Sequence, residues 1–345
     1  MRRVTIKDIA QLAGVSYATV SRALNNAGEI SEATRKRILD ICAREGYRAN
    51  VLARSLIAQK THVLGLIVPN ITNPFYSELA LAIELHARSK GYNVMLCNGL
   101  HDSQLTKDLF DFLVGQQVDG VIFGSARNED HDWIQRRQES IPLVLVGDAM
   151  SEENMQGINA ISTDNRLGGR MAAEYLLGLG HRRITYFGLR PDSFSHEYRF
   201  QGFRQAIESS DSRADCRLSV VKNDASTSSM DRGYTLAKTM FQNGLEDTAV
   251  FAATDGMALG LLQAAGEFGI RVPEDLSLIG FDNIVYTSLP KIRLSTIDQQ
   301  KHMLGTAAVD LLISLIRETE PGTYTRKLIR PQLVERESCR PVQTG

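Results

Sequence analysis

The chain has 345 residues, 43% of them hydrophobic and 23% charged, the balance of a folded protein of two or three domains rather than of a disordered one. Its longest apolar runs, VLGLIV at 63–68 and PLVLVG at 142–147, fall far short of the roughly 20 residues that cross a bilayer, and MRRVTIKDIAQLAG lacks the apolar stretch of an export signal. The net charge of −1 hides an asymmetry: residues 1–60 hold eleven Lys and Arg against five Asp and Glu, and the remainder holds 28 against 35, so a basic head on an acidic body is the part suited to a polyanion.

Residues 5–46 read as three short helices. Thr5 and Asp8 form a capping-box pattern, and Ile6, Ile9, Ala10 and Leu12 are expected to line the inner side of the first helix. Gly14 ends it in a tight turn. Ser16 is a good N-cap for a second helix, SYATVSRALN, whose Val20 and Leu24 face inward. A third helix opens at Ser31 and runs through Ile38, Leu39 and Ile41 to Gly46. Two short helices around a glycine turn, supported by a third, make a helix-turn-helix. With Val20 and Leu24 buried, Tyr17, Ala18, Ser21, Arg22 and Asn25 are left outward. Arginine reads guanine edges and Asn pairs with base edges, whereas Ser and Thr hydroxyls and helix N-termini, here Thr5, Ser16 and Thr19, hold phosphates. A solvated helix face would look the same residue by residue.

Asn50 could cap a short helix over 51–56, too brief to be stable alone in water. From residue 62 short apolar strands alternate with amphipathic helices: VLGLIV, a helix from Phe75, YNVMLCN, a helix near 104–116, DGVIFGS and PLVLVGD. The alternation resumes with helices near 166–179, 197–209 and 256–268 between RRITYFG, TAVFAATD and SLIGFD. Such spacing means parallel sheets covered on both faces, in two lobes. Ligands of such sheets sit at the carboxyl ends of the strands. Enzyme signatures are missing: there is no GxGxxG, GxxxxGK[ST], GxSxG or HExxH, and His196–Glu197 has no second histidine. The body is expected to bind rather than transform, with no cofactor and no metal. The four cysteines (Cys42, Cys97, Cys216 and Cys339) have no zinc-knuckle or CxxC spacing and read as reduced, packed thiols of a cytoplasmic protein.

VTIKDIAQLAGVSYATVSRALN resembles the DNA-binding signature of the lactose/galactose-repressor (LacI/GalR) family. The likeness continues through ISEATRKRILDICAREGYRANVLARSL, VLGLIVPNITNPFYSEL, GHRRITYFG, RFQGFRQAI, TDGMALGLLQAAGEFGIRVPEDLSLIGFDN and LSTIDQ, which is nearly the whole chain in the family's order. The resemblance implies an all-α head at 1–47, a hinge helix and linker at 48–61, and an α/β body like that of periplasmic binding proteins. Its first lobe would span 62–161 with 291–322, and its second 162–290 with 323–345. The crossings would then fall near 162, 290 and 322, with a helix around 299–318 in the first lobe and tail strands around 326–337 in the second. The resemblance also implies that Leu56, with Ala53 beside it, wedges into the minor groove at the operator centre, where unstacking is repaid by bending.

For the effector the resemblance points to Phe75 and Tyr76 after the first strand, Ser195 and Arg199 ahead of RFQGF, Thr254 and Asp282 at strand ends, and Asp148 and Asp164. A carboxylate accepting sugar hydroxyls, an arginine donating to others and a ring under a sugar face suit a carbohydrate. Asp282 and Asp164 could instead cap helices, and Phe75 could be core. The expected function is a repressor whose operator affinity a small effector controls. A sugar-transport protein would lack the head and carry an export signal, and a kinase or dehydrogenase would carry phosphate loops. A catabolite controller with a phosphorylated carrier protein as corepressor would carry a basic pair on the helix written here GTAAVDLLISLI, which has no Lys or Arg before Arg317. The end of the chain, RESCRPVQTG, has no leucine heptads, so a homodimer on a near-palindromic operator is expected.

Overall fold

The computed structural model describes residues 4–25, 30–47, 60–124, 130–147, 153–191, 193–210, 213–224, 229–317 and 324–342. The chain divides into two units, Met1–Thr61 and His62–Gly345.

In the first unit α1 (Ile6–Ala13), α2 (Tyr17–Asn25) and α3 (Glu32–Arg44) close on one small core. Thr5 and Asp8 form a reciprocal capping box, and Gly14 takes φ 61 to end α1, a left-handed turn that costs glycine little. The core is Ile9, Ala10, Ala13, Val20, Ala23, Ile38, Ile41 and Cys42, with Ile6 and Leu24 packed at its margin. Leu12 and Leu39, expected inside, are exposed. The inward arc of α1 runs through Ile6, Ile9, Ala10 and Ala13, and Leu12 falls outside it. On α3 the same arc takes Ile38, Ile41 and Cys42 and leaves Leu39 out.

The second unit is built on two sheets of six strands among the described residues. The first sheet contains β1 (Val63–Val68), β2 (Asn93–Asn98), β3 (Gly120–Phe123), β4 (Leu143–Val146) and β5 (Ala160–Thr163) in the spatial order 2-1-3-4-5. The second contains β6 (Arg183–Leu189), β7 (Arg217–Lys222), β8 (Ala249–Ala252), β9 (Ser277–Asp282) and β10 (Ser295–Asp298) in the order 7-6-8-9-10. The two orders are the same permutation, and these strands all run parallel. Around the first sheet lie α4 (Pro74–Ser89), α5 (Ser103–Gly115), α6 (His131–Gln138) and α11 (Lys301–Arg317). Around the second lie α7 (Asn165–Gly178), α8 (Phe194–Glu208), α9 (Met230–Gln242) and α10 (Asp255–Glu267). Each sheet is buried between two apolar layers, one against each face, as an all-parallel sheet requires.

The pattern of strands and helices read from the sequence does not pick out α6, β7 or α9. α6 buries a single residue, Ile134; β7 is an edge strand; α9 buries only Gly233, Ala237 and Phe241 along a narrow stripe.

The lobe boundaries differ from the expected ones at two crossings. β10 pairs with β9 from Ser295–Ile279 to Asp298–Asp282, so residues 291–298 belong to the second lobe and the chain crosses after Asp298, not near 290. The tail then divides. β11 (Arg326–Ile329) pairs with β5 in the first sheet, whereas β12 (Gln332–Val334) pairs antiparallel with β10 in the second. The last crossing therefore falls between Ile329 and Gln332 rather than near 322. Both strands cover what would otherwise be an open sheet edge, and Ile329 is buried in doing so. The first crossing, at Asp164, lies two residues from the expected position. All three crossings touch: Asp164 donates its N–H to Ile329 O at 2.9 Å, and Thr163 Oγ1 donates to Gln299 O at 3.2 Å.

Candidate functional site

In the head, Ser16 caps α2 by accepting the Thr19 N–H at 3.1 Å, and its Oγ lies 2.9 Å from Thr19 Oγ1. Thr5 accepts the Asp8 N–H at 3.4 Å and donates its own N–H to Asp8 Oδ2 at 2.8 Å. These hydroxyls hold the helix starts in place. Of the residues expected outward on α2, Tyr17 is 65% exposed and Arg22 is exposed, whereas Ala18 and Ser21 are only partly so. Asn25 closes the helix, but its side chain lies outside the described residues, as do Ala53, Leu56 and Asp148.

In the body, the described effector candidates lie at or near the carboxyl ends of strands, with Arg199 reaching in from the second turn of α8. NPFY follows β1: Asn73 caps α4 by accepting the Phe75 N–H at 3.1 Å, and the two rings meet edge to face at 5.1 Å. Phe75 packs against the first-lobe core, as does part of Tyr76. The Tyr76 phenol is pushed up to about 12 by burial, with Asp282 adding to the rise and Arg199 and Arg190 opposing it. A first-lobe ring therefore lies within electrostatic reach of three second-lobe charges.

Arg199 and Asp282 come together in the second lobe, 4% and 5% exposed, with Arg199 Nη1 3.9 Å from Asp282 Oδ1. Arg199 Nε donates to Asn165 Oδ1 and Nη1 to Ala253 O, each at 2.7 Å, and its guanidinium stacks 3.7 Å from the Phe281 ring centroid. Asp282 Oδ1 accepts from Gln299 Nε2 at 2.6 Å. Burial raises the Asp282 carboxyl, and Arg199 is the strongest opposing influence. A buried ion pair is tolerated only with such additional bonds. Gly202 helps to seat it, because a β-carbon there would lie 1.9 Å from the Arg166 carbonyl oxygen, so α7 and α8 touch backbone to backbone beside Arg199.

The remaining expected residues divide. Asp164 caps α7 by accepting the Leu167 N–H at 2.9 Å, and Thr254 caps α10 by accepting the Met257 N–H at 3.2 Å. The Asp282 carboxylate, besides facing Arg199, takes the backbone N–H of Asp255, the first residue of α10. Ser195 is half-buried in the first turn of α8. The next residue, His196, is buried with Nδ1 3.3 Å from Gly188 O, and burial together with Arg199 and Arg190 holds its pKa well below the usual value.

Sequence reading missed the residues behind this pair: Asn165, Phe281, Gln299 and Asp255. Asp255 accepts from Thr296 Oγ1 at 2.7 Å and from the Ile284 N–H at 2.9 Å. Burial, then the nearby Asp282, push it up to about 7. Gln299 and Asp255 each sit inside a quoted motif (LSTIDQ and TDGMALG), which was the available signal. No group of His, Cys, Asp and Glu suited to a metal ion occurs among the described residues, and no described helix is long and apolar enough to cross a membrane.

A profile described as "Bacterial regulatory proteins, lacI family" matches residues 5–50, and one described as "Periplasmic binding protein-like domain" matches 173–339. The catabolite control protein A of Priestia megaterium is 33% identical over 310 residues, covering 90% of this chain and 91% of that protein. Two solved structures share the fold at 27% identity. The Lac repressor dimer bound to operator and the anti-inducer ONPF has a TM-score of 0.85, covering 98% of this chain and 100% of that one. The transcriptional regulator CelR–cellobiose complex has a TM-score of 0.70, covering 97% and 100%. A reading head with an exposed arginine on its second helix, a two-lobed body with a buried ion pair at its strand ends, and a relative this similar along both lengths lead to one conclusion: the chain belongs to the LacI family of bacterial regulatory proteins.

Proposed function

We propose that this chain is a repressor of transcription that binds a near-palindromic operator as a homodimer and changes its operator affinity when a small carbohydrate enters the cleft between the lobes. The observation that carries the ligand half is the Arg199–Asp282 pair at the ends of the second-lobe strands, with Tyr76 of the first lobe near enough to feel both charges. A donor and an acceptor side by side, with a ring approaching from the other lobe, suit the hydroxyls and the apolar face of a sugar. Phe75, Ser195 and Asp148 complete the proposed set, and Asp164 and Thr254 border it as helix caps. A regulator of the same fold holds cellobiose, which supports the class of ligand.

The DNA half rests on α2. Tyr17, Ala18, Ser21, Arg22 and Asn25 face the bases, Thr5, Ser16 and Thr19 stand by the phosphates, and Ala53 and Leu56 enter the minor groove. The head at 1–47 and the linker at 48–61 would thus act as one reading unit for each half-site. The protein works as a binding protein rather than an enzyme, in the cytoplasm beside its DNA. Thermal unfolding against a panel of monosaccharides, disaccharides and nucleosides tests the ligand class, because a ligand of the native state raises the midpoint by mass action. Operator binding with and without each hit then tests the control. A sugar that raises the midpoint and changes operator affinity is the expected result; a panel in which only nucleosides do so overturns the carbohydrate.

A further inference from the structure

The turn that leaves β9 is held by both lobes. Asp282 (φ 124) and Asn283 (φ 52) lie in the left-handed region, backbone that persists in non-glycine residues only where the surroundings fix it. The second lobe provides part of the hold. Asp255 takes the Ile284 N–H, and Arg336 donates Nη2 to Asn283 Oδ1 at 2.8 Å and Nη1 to Thr287 Oγ1 at 3.2 Å.

The first lobe provides the rest with two side chains of opposite charge. Lys301, the first residue of α11, is buried and donates Nζ to Asp282 O at 2.6 Å and to Asn283 O at 2.7 Å. Glu78 of α4 accepts the Val285 N–H at 2.9 Å through Oε1, and its Oε2 lies 3.5 Å from Lys301 Nζ. The two helices are close enough to act together: a β-carbon on Gly305 of α11 would stand 3.0 Å from Ala82 Cβ of α4. The pair therefore grips one second-lobe turn by its carbonyls and by its N–H.

We propose that Glu78 is a positioning residue of the ligand response: with Lys301 it clasps the turn that presents Asp282 and so sets the separation of the lobes at the cleft. The proposal rests on the reading that Asp282 meets the ligand. Asp282 carries both functions, its carboxylate at the proposed site and its carbonyl in the clasp, so movement at one is felt at the other. Glu78 also sits two residues beyond Tyr76 on α4, which puts the first-lobe ring and the first-lobe half of the clasp on the same helix turn. Neither hydrophobic core depends on the contact, because Val285 is 57% exposed and Glu78 is half-buried.

The test is amide hydrogen exchange of the full chain with no sugar present, in wild type, Glu78→Ala, Val285→Pro and the double variant. Val285→Pro removes the same bond from the opposite lobe. Proline is compatible there, because Ile284 already has φ −72 and ψ 158, the extended backbone required before proline, and Val285 opens a short helical turn. In both single variants segments 75–77 and 283–289 are expected to exchange faster together, by roughly tenfold, with both sheets unchanged. The double variant should go no further than either single, since both remove one interaction. Glu78→Gln, which keeps an acceptor for the Val285 N–H, should restore most of the protection. Acceleration confined to 283–289, with 75–77 unchanged, would show a local turn cap and overturn the clasp. A sugar panel without a hit would leave this result standing, so the two readings fail separately.

Discussion

Gly169 on α7 faces the backbone of Arg199 on α8 so closely that a β-carbon there would stand 1.9 Å from the Arg199 carbonyl oxygen. The contact is backbone to backbone, so no side chain can rotate out of the way. Gly169→Ala must therefore push α7 and α8 apart and shift the arginine that pairs with Asp282. Overpacking of this kind costs about 1–3 kcal/mol and often more. Thermal unfolding should show a lower midpoint for Gly169→Ala, whereas Gly178→Ala, at the end of the same helix with no atom within 4 Å of the added carbon, should stay near wild type.

Arg22 is exposed on the outward face of α2. Arg22→Ala should weaken binding to an operator selected in vitro by about 1–3 kcal/mol and relax the preference at one base pair. Binding to random DNA, governed by phosphates and salt, should change much less. Equal losses on both DNAs in titrations at one salt concentration would make Arg22 a phosphate contact.

Asp282→Asn keeps an oxygen for Gln299 and removes the charge beside Arg199. Operator affinity without sugar should stay near wild type, because the head is untouched. Affinity for the sugar found by the panel should fall by about 1–3 kcal/mol, the cost of leaving a bound polar group poorly paired. The check is operator binding over a sugar titration. A response at the wild-type concentration would move the ligand to other residues.

Burial and the neighbouring Asp282 push the Asp255 carboxyl up to about 7 from an ordinary value of 3.8. Between those values the folded protein holds a proton that the unfolded chain has released. This group therefore supports folding most strongly below 3.8, and its contribution is lost as the pH rises towards 7. Asp255→Asn can still accept the Ile284 N–H and donate to Thr296 Oγ1. Urea unfolding at several pH values should show a flatter profile for the variant and, at pH 8, greater stability than wild type. A wild-type slope in the variant would assign the proton elsewhere.

The parts legible in the sequence are those whose partners lie close along the chain. The Thr5–Asp8 box, the Ser16 and Ser31 caps and most strands follow from local spacing. Long-range pairing is a different matter. That Ser295–Asp298 adds to the second sheet and Arg326–Ile329 to the first depends on which edge is open, which no local pattern records. The same holds for the site. Tyr76, Arg199 and Asp282 came from resemblance, and their supports Asn165, Phe281 and Gln299 are linked to them through space. Asp164 and Thr254 show the reverse case, since residues suited to ligands are also the residues suited to helix starts.

The three chain crossings lie side by side, joined by the Asp164–Ile329 and Thr163–Gln299 bonds. Parallel tethers bound to one another resist both sliding and separation of the bodies they connect, and leave rotation about their common line as the soft motion. A ligand that draws the two sides of the proposed cleft together would then act chiefly through that rotation. On that reading chemistry at the cleft would set how strongly the rotation is driven, not its direction.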